Sequence, residues 1–293
     1  MAKMSGLCHL SSRIQRNGTH PPAHVFLDLF GTLIYPTLPI HIRYNQIAHS
    51  NGFGDFKLSA KNFKTAFKKT NQEFPNYGKN AWVTDNQTKH VRMLPKDWWL
   101  KVVKGTFEDS LNAQESLPRP KLSEIEKISE LIYEEFLTNE DEKIYKNYDD
   151  TLDFINYLTT EKIGFSILTN SDPKILNALP PSLKELLFSK DQINSQFQAF
   201  TSWDIGFSKP DQRIWDSAIS QLNLNKSKDR LIHVGDDFQE DFLGAKSAGI
   251  GSIWLDRQDN HQKISKPINN EIANHQFKAH ERIHSLNELI GFL

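Results

Sequence analysis

The residues of this sequence that could break a bond by nucleophilic attack begin with Asp28. It stands at the end of an apolar run that starts at His24, and Gly31 and Thr32 follow it closely. A strand that ends in a turn can expose an aspartate carboxylate as a nucleophile. Gly31 lets the chain bend sharply there, and Thr32 offers a hydroxyl and an amide to a bound anion. This motif alone is a weak indication of catalysis.

Three later segments strengthen that indication, because each is an apolar or amphipathic stretch bordered by polar residues. Their polar residues are, in chain order, Thr169, Asn170, Lys209, Asp236, Asp237 and Asp241. Short apolar runs that alternate with helical patterns predict a parallel α/β sheet, whose ligands bind outside the carboxyl ends of the strands. We therefore expect all four motifs to meet at one edge of the sheet.

These residue types divide the chemistry between them. Asp28 is expected to attack and form a covalent intermediate. Thr169 can donate a hydroxyl hydrogen bond, and Lys209 can neutralise charge on the nucleophile and on the transferring group. Asp236, with Asp28, offers the hard oxygen ligands that Mg²⁺ prefers. One lysine among three carboxylates leaves room for a divalent cation.

Five further residues have supporting roles in this prediction. Gly31, Thr32 and Asn170 are expected to contact the substrate. Asp237 is expected to cap the helix that begins near Phe238, and Asp241 to position Lys209 or a metal-bound water.

The order of the motifs resembles that of the haloacid dehalogenase superfamily, which has an aspartate nucleophile, a Thr or Ser, a Lys and an acidic pair. The matching residues are, in chain order, Asp28, Thr169, Lys209, and Asp236 with Asp241. The resemblance implies a Rossmann-like parallel-sheet core, with a helical cap inserted between the first and second motifs. It also implies a hydrolase that uses Mg²⁺, and a metal contact from the backbone carbonyl of Phe30.

Two other stretches are similar to the subfamily named after haloacid dehalogenase-like hydrolase domain-containing protein 3. One runs from Phe74 to Gly78 and continues at Pro95 to Val103, and the other runs from Thr201 to Gly206 into Lys209 to Trp215. This second resemblance implies the fold more than it implies the reaction.

Phe30 departs from the pattern of the superfamily's phosphatases, which carry an aspartate there as general acid and base. Phenylalanine cannot transfer a proton, and loss of a positioned acid or base typically costs about 100 to 10,000-fold in rate. Carbon-halogen hydrolases of the superfamily carry an aromatic residue there and need no metal. They usually replace the first acid of the last motif with Ser, whereas this chain keeps Asp236.

The sequence therefore favours a Mg²⁺-dependent hydrolase of a small phosphorylated compound. Two alternatives stay open, a dehalogenase-type hydrolase and a catalytically degenerate binding protein.

The balance of 35 basic and 36 acidic residues gives no electrostatic field that favours binding to nucleic acid or to an anionic membrane. No apolar run approaches the ~20 residues that a membrane helix needs. The oligomeric state is left open.

The chain divides into three parts. Residues 1–23 are expected to form a flexible N-terminal arm, residues 24–36 and 148–293 the core, and residues 37–147 the helical cap. Within the cap, Ile125, Ile128 and Ile132 recur at helical spacing, and Ser123 with Glu126 matches a capping box.

The compartment follows from the N-terminal arm and the cysteine count. The arm is basic and has no acidic residue, which is also typical of a mitochondrial presequence. The single cysteine, Cys8, fits a reducing compartment. We expect a cytoplasmic or nuclear protein, with a mitochondrial location as the alternative.

Overall fold

A computed structural model describes residues 24–53, 56–75, 82–84, 90–113, 120–139, 141–188, 197–257, 272 and 274–293. The expected N-terminal arm lies outside those ranges, and so do Asn76 to Gly78 of the stretch that is similar to the domain-containing protein 3 subfamily.

The described residues form ten strands and nine α-helices. The strands are β1 His24–Leu27, β2 Ile34–Pro36, β3 Trp82–Thr84, β4 His90–Arg92, β5 Tyr145–Asn147, β6 Gly164–Thr169, β7 Gln198–Thr201, β8 Leu231–Gly235, β9 Gly251–Leu255 and β10 Arg282–Ile283. The α-helices are α1 Ile40–Ser50, α2 Ala60–Glu73, α3 Pro95–Ala113, α4 Leu122–Leu137, α5 Thr151–Thr160, α6 Pro181–Phe188, α7 Ser202–Ile205, α8 Arg213–Gln221 and α9 Gly244–Ser247.

A six-stranded sheet in the order β10-β9-β8-β1-β6-β7 forms the centre of the protein, and each neighbouring pair is parallel. The central strands are mostly apolar because both of their faces are covered, although His24, Ser166 and His233 are buried polar residues within them. Val25 and Leu27 pack with α5 and α6 on one face, whereas Phe26 and Leu168 pack with α8 and α9 on the other. The predicted parallel α/β core is confirmed.

The register brings the ends of three strands to one edge. Leu27 pairs with Ile167 on one side and with Val234 on the other. The residues that follow β1, β6 and β8 therefore emerge side by side, as expected for ligand-binding residues of a parallel sheet.

Helices α1 to α4 lie between β2 and β5, inside the segment predicted to form a cap, although the boundaries of that segment as a domain stay a prediction. Ile125, Ile128 and Ile132 are buried, which confirms the helical face of α4. The capping box at Ser123 is wrong, because Ser123 already lies in the first turn. The N-cap is Lys121, whose backbone N–H donates to Glu124 at 2.6 Å.

Near the C-terminus, Leu286–Leu289 form a 3₁₀ helix with Ser285 as its N-cap. Within the described ranges, the helices are too short or too polar to cross a membrane.

Candidate active site

Asp28 follows β1 directly, and its backbone N–H donates to the carbonyl of Val234 at 2.9 Å. This hydrogen bond holds the residue at the sheet edge. Its buried carboxylate accepts a hydrogen bond from Lys209 Nζ at 2.6 Å. Thr32 is fully buried, and its hydroxyl lies 3.5 Å from Asp28 Oδ2. Thr32 therefore faces the predicted nucleophile, and its contact with a substrate stays a prediction.

Lys209 reaches Asp28 from a loop that Asn170 holds in place. The Lys209 backbone N–H donates to Asn170 Oδ1 at 2.8 Å, and Asn170 Nδ2 donates to the Lys209 carbonyl at 3.0 Å. The side chain of Asn170 thus couples the second motif to the third. The contact of Asn170 with the substrate stays a prediction.

Asp241 is the second partner of Lys209, at 2.5 Å from Nζ to Oδ1. The same carboxylate contacts His233 Nε2 at 2.9 Å and accepts from the backbone N–H of Asp237 at 2.9 Å. This contact with Lys209 is the one expected of Asp241. His233 is a fully buried residue of β8. Its contact with Asp241 had no local signal, because it depends on how β8 packs against the helix that follows.

Asp237 caps that helix, the π-helix Phe238–Leu243, by accepting from the backbone N–H groups of Gln239 and Glu240. The capping role predicted for Asp237 is confirmed.

Asp236 completes an acidic cluster with Asp28 and Asp241. Each of the three carboxylates offers an oxygen atom, and these atoms lie within 4.8 Å of one another. Gly31 stands against Asp236 with a backbone φ of +78°, a left-handed conformation that glycine adopts readily. The bend expected at Gly31 is therefore present.

Burial and close charges set the ionisation of this cluster. Burial raises the pKa of Asp28 to about 6, although Lys209 opposes that shift. Burial also disfavours ionised Asp241, but Lys209 and His233 outweigh burial and hold its pKa well below the usual range. The two aspartates likewise outweigh burial at Lys209 and raise its pKa. Lys209 and Asp241 are thus an ion pair at neutral pH, and Asp28 is ionised above about pH 6.

A cavity of about 430 Å³ opens over the cluster. The predicted site residues that line it are Asp28, Phe30, Gly31, Thr169, Asn170, Lys209, Asp236, Asp237 and Asp241. Thr169 is buried at the end of β6. The structure therefore brings the four motifs to one cavity.

Aromatic side chains from the segment between the first two motifs form much of the remaining wall. Trp98 is fully buried among the helices, whereas its neighbour Trp99 lines the cavity. The helical segment therefore buries one of these two adjacent tryptophans and turns the other toward the cavity.

Asp172 and Glu240 line the cavity too, and the sequence reasoning missed both. Asp172 accepts from Trp99 Nε1 at 3.2 Å and from the Lys174 backbone N–H at 2.9 Å, and burial raises its pKa. An aspartate directly before Pro173 is a signal for a helix N-cap, so its capping role could have been found. Glu240 is exposed as a residue, but its carboxyl accepts from Asn170 Nδ2 at 2.9 Å, and desolvation there raises its pKa to about 7.

Comparison with solved structures shows the fold. A 2-haloacid dehalogenase from Pseudomonas syringae matches with a TM-score of 0.53 and 17% identity, covering 91% of this chain and 95% of that one. The HAD-hydrolase YfnB from Bacillus subtilis matches with a TM-score of 0.52 and 17% identity, covering 94% and 99%.

Comparison of sequences shows the family. The chain is 24% identical over 232 residues to the bovine haloacid dehalogenase-like hydrolase domain-containing protein 3, covering 78% of this chain and 79% of the relative. The model of the haloacid dehalogenase-like hydrolases matches residues 22–249. Since that match spans most of the chain, the protein belongs to the haloacid dehalogenase-like hydrolases, as its four motifs predicted.

Proposed function

We propose that this hydrolase cleaves a small phosphomonoester by covalent catalysis through Asp28 and depends on Mg²⁺. The observation that supports this proposal most is the excess of carboxylates around Lys209. Its ammonium group contacts Asp28 and Asp241, and Asp236 lies within the same cluster. One cation offsets one of these three acids only, so the cluster suits a second cation.

The donor set fits Mg²⁺ by its chemistry. Carboxylate oxygens are hard ligands, and Mg²⁺ typically binds one or two carboxylates together with phosphate oxygens. Asp28 and Asp236 would hold the ion, with the backbone carbonyl of Phe30 as the third ligand that the resemblance implies. When bound, the ion would neutralise charge on the phosphoryl group.

The side chains divide the remaining work. The Asp28 carboxylate attacks phosphorus, the bond from phosphorus to the leaving oxygen breaks, and an aspartyl phosphate forms; water then hydrolyses it to phosphate and free Asp28. Lys209 offsets charge on Asp28 and the phosphoryl oxygens, and Thr169 donates a hydroxyl hydrogen bond. Asp241 holds Lys209 in position. The leaving oxygen needs a proton that Phe30 cannot supply.

The second candidate, a carbon-halogen hydrolase, is favoured by the aromatic side chain of Phe30 in the cavity wall. Such an enzyme would attack carbon through the same Asp28 and release halide without a metal. The retained Asp236 has no task in that reaction, which is why the phosphomonoester is the preferred substrate.

A small-molecule substrate also suits a cavity of about 430 Å³ better than nucleic acid. The location in cytoplasm or nucleus stays a prediction.

The deciding experiment measures phosphate release from a panel of phosphorylated metabolites, and halide release from 2-haloacids, with Mg²⁺ and with a chelator. Phosphate release that requires Mg²⁺ supports the proposal. Halide release in the presence of the chelator would establish the second candidate. Binding of Mg²⁺ or phosphate with no product from either panel would identify a degenerate member that binds a ligand without turnover.

A further inference from the structure

We propose that the alcohol part of the substrate is an uncharged aromatic or similarly apolar group, and that Asp172 helps to exclude substrates with a second anionic group. This inference rests on the proposed function of Asp28, because it concerns the part of the same cavity beyond the phosphoryl position.

A continuous series of ring contacts leads away from the nucleophile. Phe30 lies two residues beyond Asp28, and its ring centroid is 5.4 Å from that of Tyr145. Tyr145 in turn lies 6.3 Å from Phe136, and Phe136 lies 5.4 Å from Tyr44. All of these residues line the cavity. An apolar surface therefore begins beside the reacting carboxylate.

The series continues on α2 and α3. Tyr44 lies 6.0 Å from Phe63, Phe63 lies 5.9 Å from Phe67, and Phe67 lies 6.1 Å from Trp99, centroid to centroid. We call the rings from Phe30 to Trp99 in this series the aromatic belt. Aromatic contacts at these separations stabilise one another, so the belt is formed before a ligand binds.

Buried anchors hold the belt in place. Trp98 is fully buried, packs edge-on against Phe67 at 5.3 Å, and donates from Nε1 to the Phe74 carbonyl at 2.8 Å. Trp99 donates from its own Nε1 to Asp172. A rigid apolar wall of this kind favours a flat or apolar ligand, because the ligand loses contact with water and the wall does not reorganise.

The charges of the cavity argue against a second anion. Its described lining includes six carboxyl groups and a single cation, Lys209. Lys209 is already engaged by Asp28 and Asp241. A carboxylate or second phosphate on the substrate would therefore find no free cation among the described lining residues.

Asp172 places one of these charges at the Trp99 end of the belt. Its two oxygens accept from Trp99 and from the Lys174 backbone, so the carboxylate has a fixed orientation. The exposed Lys174, whose Nζ lies 5.2 Å from the Tyr133 ring centroid, is outside the cavity lining and offsets part of the Asp172 charge. Like charges held about 10 Å apart at an effective dielectric constant of about 20 weaken binding by about tenfold. Asp172 thus acts as a specificity residue toward the substrate's alcohol part.

The test measures equilibrium binding of phosphonates, which the enzyme cannot hydrolyse, to the full chain with Mg²⁺ at about pH 8. The ligands are methylphosphonate, benzylphosphonate and 4-carboxybenzylphosphonate. We expect benzylphosphonate to bind at least about tenfold more tightly than methylphosphonate, and the carboxylate to cost about tenfold relative to benzylphosphonate. Equal binding of all three, or tighter binding of the carboxylate, would overturn this inference while the proposed function stands. Absence of binding by every phosphonate, together with no turnover of acetyl phosphate, would overturn both.

Two matched variants assign the effect to Asp172. Asp172→Asn should reduce the penalty on 4-carboxybenzylphosphonate, measured as the ratio of its Kd to the Kd of benzylphosphonate for the same variant. Asp153→Asn removes the same charge from an exposed residue of α5 outside the cavity lining, and it should keep the full penalty. An unchanged penalty in Asp172→Asn would show that Asp172 is not the specificity residue. If Asp172→Asn does not fold, the ratios for the wild-type chain still decide the substrate class, and Phe67→Leu, which should reduce the preference for the benzyl group, tests the belt.

Discussion

Gly31 lies so close to Asp236 that a Cβ atom at residue 31 would be 2.4 Å from the Asp236 Cγ atom. Side chains do not tolerate a contact of that length. Glycine therefore serves two purposes here. It adopts the left-handed conformation that turns the chain after Asp28, and it leaves the space that the Asp236 carboxylate occupies.

Gly31→Ala should displace Asp236 and weaken Mg²⁺ binding. The matched control is Gly52→Ala, since Gly52 has a φ of +81° but no atom within 4 Å of an added Cβ. Both variants carry the left-handed penalty of about 1 to 2 kcal/mol, whereas only Gly31→Ala also creates a clash. Urea unfolding and Mg²⁺ titration of both variants measure the difference. Equal losses of stability with Mg²⁺ binding retained would show that the contact with Asp236 is unimportant.

Asp236→Asn should abolish the stabilisation of the protein by Mg²⁺. An ion that binds the folded state alone at 100 times its Kd adds about 2.7 kcal/mol to the free energy of unfolding. Asp237→Asn is the control, because asparagine is also a good N-cap and the neighbouring Asp236 is kept. Thermal midpoints with and without millimolar Mg²⁺ provide the measurement. If the wild type has the same thermal midpoint with and without Mg²⁺, the proposal of a metal site at Asp28 and Asp236 is wrong.

Asp28→Asn should remove turnover while the chain stays folded, because the amide has nearly the shape of the carboxylate but is a poor nucleophile. Beryllium fluoride should form an adduct at Asp28 in the wild type and not in the variant. Turnover of the variant within about twofold of the wild type would rule out covalent catalysis through this residue.

Phe30→Asp should speed the hydrolysis of alkyl phosphates more than that of p-nitrophenyl phosphate. Alkoxide leaving groups need a proton, which the wild-type residue cannot donate, whereas p-nitrophenolate departs without one. We expect the wild type to hydrolyse p-nitrophenyl phosphate much faster than alkyl phosphates. Ordinary enzyme rates on alkyl phosphates in the wild type would mean that another residue supplies the proton.

His24→Gln should reduce the loss of stability in acid. His24 is buried with Nε2 at 2.9 Å from Ser166 Oγ, and burial lowers its pKa to about 4 from 6.5. As the pH falls from about 6.5 toward about 4, His24 binds a proton in the unfolded chain but not in the folded chain, so the free energy of unfolding decreases. We expect His24 to account for about 2 kcal/mol between about pH 7.5 and about pH 5. Urea unfolding of the wild type and the variant at both pH values measures this contribution. If the free energy of unfolding of His24→Gln has the same pH dependence as that of the wild type, the prediction is wrong.

Local sequence patterns predicted the ends of the buried strands correctly. An apolar run followed by a polar residue marks the end of a buried strand, and parallel strands bring such ends to one edge. That reasoning placed Asp28, Thr169 and Asp236 together. It failed at the start of α4, where Ser123 and Glu126 have the spacing of a capping box but Lys121 and Glu124 make the contact. Several adjacent residues can compete for a helix start, and spacing alone does not choose between them.

The amino-acid sequence by itself determined the family, the order of the sheet motifs and the residues at the strand ends, because each of these depends on neighbours along the chain. Tertiary structure alone decided which side chains from distant segments share the cavity. Trp99 meets Asp172, and His233 meets Asp241, only through the packing of helices and strands against one another. Helical periodicity tells which face of α3 is apolar, but not which residue of another element that face will contact.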